Sequence, residues 1–446
     1  MRRSLLLFVP LVFSLATPEI ACGHATPSAQ GARMAAATEH HDATMAALAV
    51  MEGGGSAADG AIAAALVLGV VNPGASGLGG GGFALVYDAK TKRTTALDFR
   101  ERAGASIDGK ILGTHGVPSG KVGAAVGIPG EPAGLVWLQK HYGKKTLAED
   151  AAPAAAIARD GFPLAPHLEG TAMAFRKRLE DDGELVRALY KDPTPAKATT
   201  VPVGAIVKRP QLAATLERFG REGDSVFYKS LAPQIVAAAK KFGGTLTEAD
   251  LASYTVEERA PLVGQFGGRT VFTMPAPSAG GLMLLENLTL FGADKSSELF
   301  AKGFGSSESY HLIAEGMRGA YADRMAHVGD PKIVATVTQD VANDLAAARL
   351  AARRKSISSD ATHDSAFFAS REGGTTHLVV VDKEGNVVSL TTTVNSPFGS
   401  GIEVAGAGFL LNDELWDFST DEEAKPFVKA GGTLPNSPRP LARPVS

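Results

Sequence analysis

The chain has 446 residues, with 44 basic and 47 acidic side chains, a net charge of −3, 45% hydrophobic and 20% charged residues. These are ordinary globular values for a chain able to bury a sizeable core, and the near balance of charge offers no electrostatic footprint for a nucleic-acid partner. Cys22 is the single cysteine, which excludes an intramolecular disulfide and any Cys-based metal site or catalytic thiol in the body of the protein.

At the N-terminus, Arg2 and Arg3 precede an apolar run over 5–16 that is short for a bilayer span and fits the h-region of an export signal. Small residues suited to cleavage occur at Ser14-Leu15-Ala16 and at Cys22-Gly23-His24-Ala25, while Ile20-Ala21-Cys22 suits a lipoprotein processing site with Cys22 as its lipidated first residue. The expectation is a leader over 1–25 and a tether over 26–30, and an exported protein, periplasmic or membrane-anchored through Cys22. His40-His41-Asp42 suggests a metal only superficially, because neighbours on a helix point to different faces; they are expected as solvated helix-start residues. Ser56 with Asp59 forms a capping-box pattern, 57–70 is expected as a helix, and Asn72-Pro73-Gly74 ends it.

Gly77-Leu78-Gly79-Gly80-Gly81-Gly82 satisfies GxGxxG, and Asp98 follows at the distance of a ribose-binding acid. The order of elements is wrong for a dinucleotide site, since a helix precedes these glycines and a strand follows them. Close backbone approach at an active-site wall is the expected reason for the run. A hairpin is expected from 83–88 and 95–99, Pro-containing breaks at 128–132 and 162–166 separate further helices, and the Ala- and Arg-rich stretch 341–354 is expected as one helix.

A polar tract over 355–374 then meets a strand at Gly374-Thr375-Thr376-His377-Leu378. Cutting the bond before Thr375 would give that threonine a free α-amine beside its own hydroxyl. An α-amine of pKa about 8 can take the hydroxyl proton near neutral pH, which is the N-terminal form of activated-nucleophile catalysis. The apolar run 378–381, the turn formers at 382–386 and the β-branched run 387–394 predict a hairpin. Centring the turn on Glu384 sets Thr375 opposite Thr393 and His377 opposite Thr391. Thr393 is then placed to hydrogen-bond and orient the nucleophile.

This segment resembles the start of the small subunit of the γ-glutamyltranspeptidases, N-terminal-nucleophile hydrolases that cleave themselves before a Thr-Thr-His sequence. Further stretches resemble the family's large subunit in the same order: GGGSAADGAIAAA (53–65), VVNPGASGLGGGGFALVYD (70–88), LDFRERA (97–103), VGIPGEPAG (126–134), ARDGFP (158–163), TMPAPSAGG (273–281) and EGMRGAYADRMAHVGDP (315–331). The resemblance implies an α+β fold, a four-layer αββα sandwich, with a large-subunit region over 26–374 and a small-subunit region beginning at 375 within one globular domain. No metal or cofactor is implied. It also implies γ-glutamyl transfer from glutathione or a related amide to water or an acceptor amine, and self-association of the two cleavage products.

By the same resemblance Thr375 is the nucleophile, Thr393 its partner, Gly374–Thr375 the cleaved bond, and Arg100 the cation for the donor's α-carboxylate. Asn395, Glu414 and Asp417 match the positions that hold the α-ammonium; Glu414 and Asp417 stand three apart, so on a turn they share a face. The family's serine pair after Arg-Pro-Leu is replaced here by Ala442-Arg443, which opens two alternatives: Arg443 stands in for the lost hydroxyls, or the pocket takes another acyl group, as in acylases of cephalosporin or glutaryl type. Ser446 stands where the family's small subunit continues with further strands and a Gly-Gly turn supplying the oxyanion hole, so a truncated, non-catalytic remnant is the rival of a different class.

Overall fold

The computed structural model describes residues 31–107, 109, 122–180, 182–291, 305–358, 361–362, 374–428 and 432–446. The leader expected over 1–25, Cys22 and the tether over 26–30 lie outside these residues, as does 363–373 of the polar tract. The central element is a six-stranded antiparallel sheet of β1 (Ala35–Ala37), β2 (Gly81–Asp88), β3 (Arg93–Phe99), β4 (Glu257–Arg259), β5 (Gly374–Val381) and β6 (Val387–Asn395), in the spatial order β1-β5-β6-β2-β3-β4. The other sheets among the described residues are three two-stranded ribbons. Residues Arg33–Ser446 form one compact unit.

The sheet is covered by α1 (His41–Glu52) and α2 (Ala57–Val71), with α2 lying against β5 and β6. Nearly every side chain of α2 is buried and most are Ala, Val or Leu, so the helix is apolar all round and sits at the centre of the main core. Its start follows the sequence pattern: Ser56 Oγ accepts from the Asp59 amide at 3.3 Å, and Asp59 accepts in return from the Ser56 amide at 2.6 Å. The hairpin turn closes on that same end, because Asp382 accepts from the Asn386 amide at 3.0 Å and from the Ala57 amide at 3.0 Å. One carboxylate therefore fixes both the turn and the N-terminus of the helix beneath it.

His40 is the N-cap of α1, its Nδ1 accepting from the Asp42 amide at 3.2 Å, so the His-His-Asp run is helix-start chemistry as expected. The stretch 341–354 corrects the expectation of one continuous helix. Helices Val337–Asp344 and Ala347–Ser356 meet at an extended Ala346. Tertiary ion pairing overrides helix propensity there: Asp344 pairs with His327 at 2.8 Å and with Arg349 at 3.3 Å, and Arg349 also reaches Asp323 at 2.5 Å.

Candidate active site

The hairpin has the predicted register, with Thr375 opposite Thr393 and His377 opposite Thr391. An irregularity between Gly374 and Thr375 shifts the pairing, so that Gly374 faces Asn395. Thr375 Oγ1 and Thr393 Oγ1 lie 3.1 Å apart. Thr393 Oγ1 also accepts from the Asn395 amide at 2.8 Å, which fixes the hydroxyl from the end of its own strand. His377 is engaged away from Thr375: its Nδ1 meets Thr391 Oγ1 at 2.9 Å and its Nε2 meets Ser389 Oγ at 3.1 Å, and burial pushes the imidazole pKa down.

Two of the four glycines 79–82 lie against this hairpin. A Cβ on Gly80 would stand 1.9 Å from the Thr393 carbonyl oxygen, and one on Gly82 would stand 2.0 Å from that of Thr391. A Cβ on Gly79 would likewise stand 1.9 Å from the Leu410 carbonyl oxygen, so the run is close backbone approach as expected, and the dinucleotide alternative fails. Asp98, which that alternative would have used, is buried against Arg259 at 2.8 Å and Arg443 at 3.5 Å.

Arg100 leaves the end of β3, its amide donating to Asp98 Oδ1 at 3.0 Å. Its buried guanidinium meets Glu414 Oε1 at 2.5 Å and Asp417 Oδ2 at 2.7 Å, and it donates to the carbonyls of Pro444 at 3.2 Å and Val445 at 3.1 Å. The two acids project together from the single 3₁₀ turn Glu414–Asp417. Glu414 is nearly inaccessible whereas the Asp417 side chain is 28% exposed, so Asp417 is the member that meets solvent. Burial pushes the Glu414 carboxyl well above its usual range against the pull of Arg100, and burial pushes neighbouring Glu101 up to about 7.

Asn395 adopts a left-handed backbone, φ 73°, which asparagine tolerates better than most residues, and its side chain donates to the Asp413 carbonyl at 3.2 Å. Thr375, Thr393, Asn395, Arg100, Glu414 and Asp417 all line one cavity of about 180 Å³. All six side chains proposed from sequence are thus brought together. Arg443 is not among the lining residues. Its guanidinium is spent on Asp98, on the Arg100 carbonyl at 3.3 Å and on the Thr255 carbonyl at 2.6 Å, so it does not replace the missing hydroxyls.

The cavity also contains residues that sequence reasoning did not assign, among them Tyr321, Arg324, Met325 and Trp416. Arg324 lies in a stretch already matched to the family, but a pattern along the chain does not say which face of a long helix meets a pocket.

The γ-glutamyltranspeptidase family model matches residues 43–446. The chain is 34% identical over 419 residues to the glutathione hydrolase proenzyme of Escherichia coli (strain K12), covering 91% of this chain and 70% of that protein. Identity to the glutathione hydrolase proenzyme of Bacillus subtilis (strain 168) is 34% over 438 residues, covering 92% and 71%. Among solved structures, the cephalosporin acylase of Bacillus halodurans superposes with a TM-score of 0.77 at 27% identity, over 98% of this chain and 76% of that one. The γ-glutamyltranspeptidase of Helicobacter pylori superposes with a TM-score of 0.69 at 32% identity, over 76% and 96%. The layered α+β architecture is therefore that of the N-terminal-nucleophile hydrolases, and the chain belongs to the γ-glutamyltranspeptidase family.

Proposed function

We propose that the protein is a self-activating γ-glutamyl transferase and hydrolase whose nucleophile is Thr375. The observation that carries this reading is the placement of the Thr375–Thr393 hydroxyl pair in the same cavity as the Arg100, Glu414 and Asp417 cluster. After scission between Gly374 and Thr375, the Thr375 hydroxyl attacks the donor's γ-carbonyl while the new α-amine takes the hydroxyl proton. The amine returns that proton to the departing amine as the carbon–nitrogen bond breaks, leaving a γ-glutamyl–threonine ester. Water or an acceptor amine then attacks the ester, with the α-amine again moving the proton, and Thr375 is restored.

At the far end of the donor, Arg100 pairs with the α-carboxylate, and Asp417 turns from Arg100 towards the α-ammonium alongside Asn395 and Glu414. Exchange of partners within one cluster keeps every charge paired as substrate enters, which avoids leaving a buried ion exposed to a low-dielectric wall. Glutathione or a related γ-glutamyl amide has the required ends. An acyl group lacking the ammonium would leave these acids without a partner, so the γ-glutamyl reading is favoured over the acylase alternative. Turnover of γ-glutamyl-p-nitroanilide by the purified protein, absent in Thr375→Ala, is the test; equal turnover by that variant would remove Thr375 from the reaction. Export is proposed on the leader sequence alone, and mass spectrometry of the mature N-terminus decides between a lipidated Cys22 and a plain signal cleavage.

A further inference from the structure

Among the described residues, five charged side chains line the cavity that holds Thr375: Arg100, Arg324, Glu414, Asp417 and Glu423. Arg100 takes both Glu414 and Asp417. Glu423 is committed to its helix start, accepting from the Thr420 amide at 2.8 Å. Arg324 is different. It projects from the helix Ser307–His327, where Asp323 pairs with Arg349 and Arg353 and Arg318 pairs with Glu315. Its own contacts are the Met325 sulfur at 3.7 Å and the Tyr321 ring, whose centroid lies 5.2 Å from the guanidinium carbon. Among the described residues it has no ion pair, and a half-buried guanidinium that offers five donors to a thioether and an aromatic face retains most of its hydrogen-bonding capacity.

A second lining group is also unsatisfied. Trp416 is 5% exposed, and its indole N–H has no acceptor among the described residues. A buried donor without a partner costs roughly 1 to 3 kcal/mol, so such groups mark places where a ligand atom or water belongs.

We propose that Arg324, assisted by the Trp416 N–H, forms a carboxylate subsite for the peptide side of the substrate, opposite in role to the Arg100 end that holds the amino-acid group. This rests on the γ-glutamyl reading above. With the γ-carbonyl at Thr375 and the amino-acid end at Arg100, the remaining cation of the cavity is left for the part of the donor that departs. A γ-glutamyl peptide ending in a free carboxylate meets it; a neutral amide does not. An acceptor amino acid or peptide that occupies the vacated position presents the same carboxylate, so one subsite serves both halves of the transfer.

The test compares hydrolysis, without added acceptor, of neutral γ-glutamyl-p-nitroanilide and of γ-glutamyl-3-carboxy-4-nitroanilide by wild type, Arg324→Gln and Arg324→Lys. Arg324→Gln is expected to lower kcat/KM for the carboxylated anilide by about 10-fold or more, mainly through KM, and to leave the neutral anilide within about 2-fold. Arg324→Lys keeps the charge but loses the planar fork and should fall between. Trp416→Phe should reduce the carboxylated donor by roughly 3- to 10-fold with the neutral donor little changed. Equal losses on both donors would show a structural role or a contact to the α-carboxylate, and no loss on either would empty the subsite; both results overturn the inference while leaving the γ-glutamyl reading standing. Absence of turnover of either anilide by wild type overturns the γ-glutamyl reading and the inference with it.

Discussion

The hydroxyls of Thr375 and Thr393, eighteen residues apart in the chain, face each other at 3.1 Å across adjacent antiparallel strands. Thr393 is itself held by the Asn395 amide, so its hydroxyl is a fixed partner rather than a rotating one. Thr393→Val keeps the β-branched shape and removes the oxygen. We expect kcat for γ-glutamyl-p-nitroanilide to fall roughly 10- to 100-fold with KM changed little, the loss of one oriented hydrogen bond to the nucleophile plus an orphaned Asn395 amide. A steady-state comparison checks this, and an unchanged kcat would make the pair a structural cross-strand contact.

Arg100 is the hub of the charged cluster in the same cavity, and on the proposed function its removal has two separable consequences. The donor loses its cation, which should depress kcat/KM by about 30-fold or more. Glu414 also loses the charge that balances its burial, and breaking a buried pair from one side typically costs about 3 to 5 kcal/mol. Arg100→Ala should therefore lower the thermal midpoint as well as the activity. The double variant Arg100→Ala/Glu414→Gln should recover the midpoint without recovering activity. Recovery of both would deny Arg100 any role in binding.

Glu131, the first residue of the helix Glu131–Tyr142, lies behind β6 with its carboxyl against Thr392 Oγ1, and burial pushes its pKa up to about 8. The unfolded chain releases this proton near 4.5 and the folded protein holds it to about 8, so between these values the unfolded state binds fewer protons and stability falls as pH rises. The slope contributed is at most roughly 1.4 kcal/mol per pH unit, levelling off above about 8. Glu131→Gln does not titrate. Thermal midpoints at pH 5.5 and 8.5 should therefore drop less in the variant than in wild type, and parallel drops would contradict the assignment.

The acids of the Glu414–Asp417 turn predict donor choice. A glutaryl group matches the γ-glutamyl group in length and lacks the ammonium that the proposed function assigns to Asn395, Glu414 and Asp417. Sites built to bond a charged group reject analogues without it by factors that reach about 10,000, and a preference for γ-glutamyl over glutaryl anilide of at least about 100-fold is expected. Ratios of kcat/KM at one pH measure it, and parity would restore the acylase reading.

Much of this site was legible in the chain because its determinants are local. The Thr375–Thr393 register follows from the two-residue strand period and a turn anchored by Asp382, and the shared face of Glu414 and Asp417 follows from their spacing. The glycine run was legible too, since close backbone approach is a local demand that glycine alone meets, as Gly79, Gly80 and Gly82 show. Other features depend on partners far away in sequence. Nothing near Arg443 indicates that Asp98 and Thr255 will claim its guanidinium, and the break at Ala346 is set by ion pairs to a helix some twenty residues earlier. Arg324 escaped for the same reason, because it enters the cavity from a separate long helix, and Trp416 escaped although it lies within the Glu414–Asp417 turn, because the spacing that pairs the two acids says nothing of the residue between them.

The central claim is that Thr375 becomes an N-terminal residue and then the nucleophile. N-terminal sequencing of the smaller fragment from the purified protein tests it most directly. Scission between Gly374 and Thr375 should give a fragment whose first residue is Thr375, and Thr375→Ala should remain a single chain. A fragment beginning at any other residue, or an uncut protein that turns over γ-glutamyl-p-nitroanilide, would contradict it.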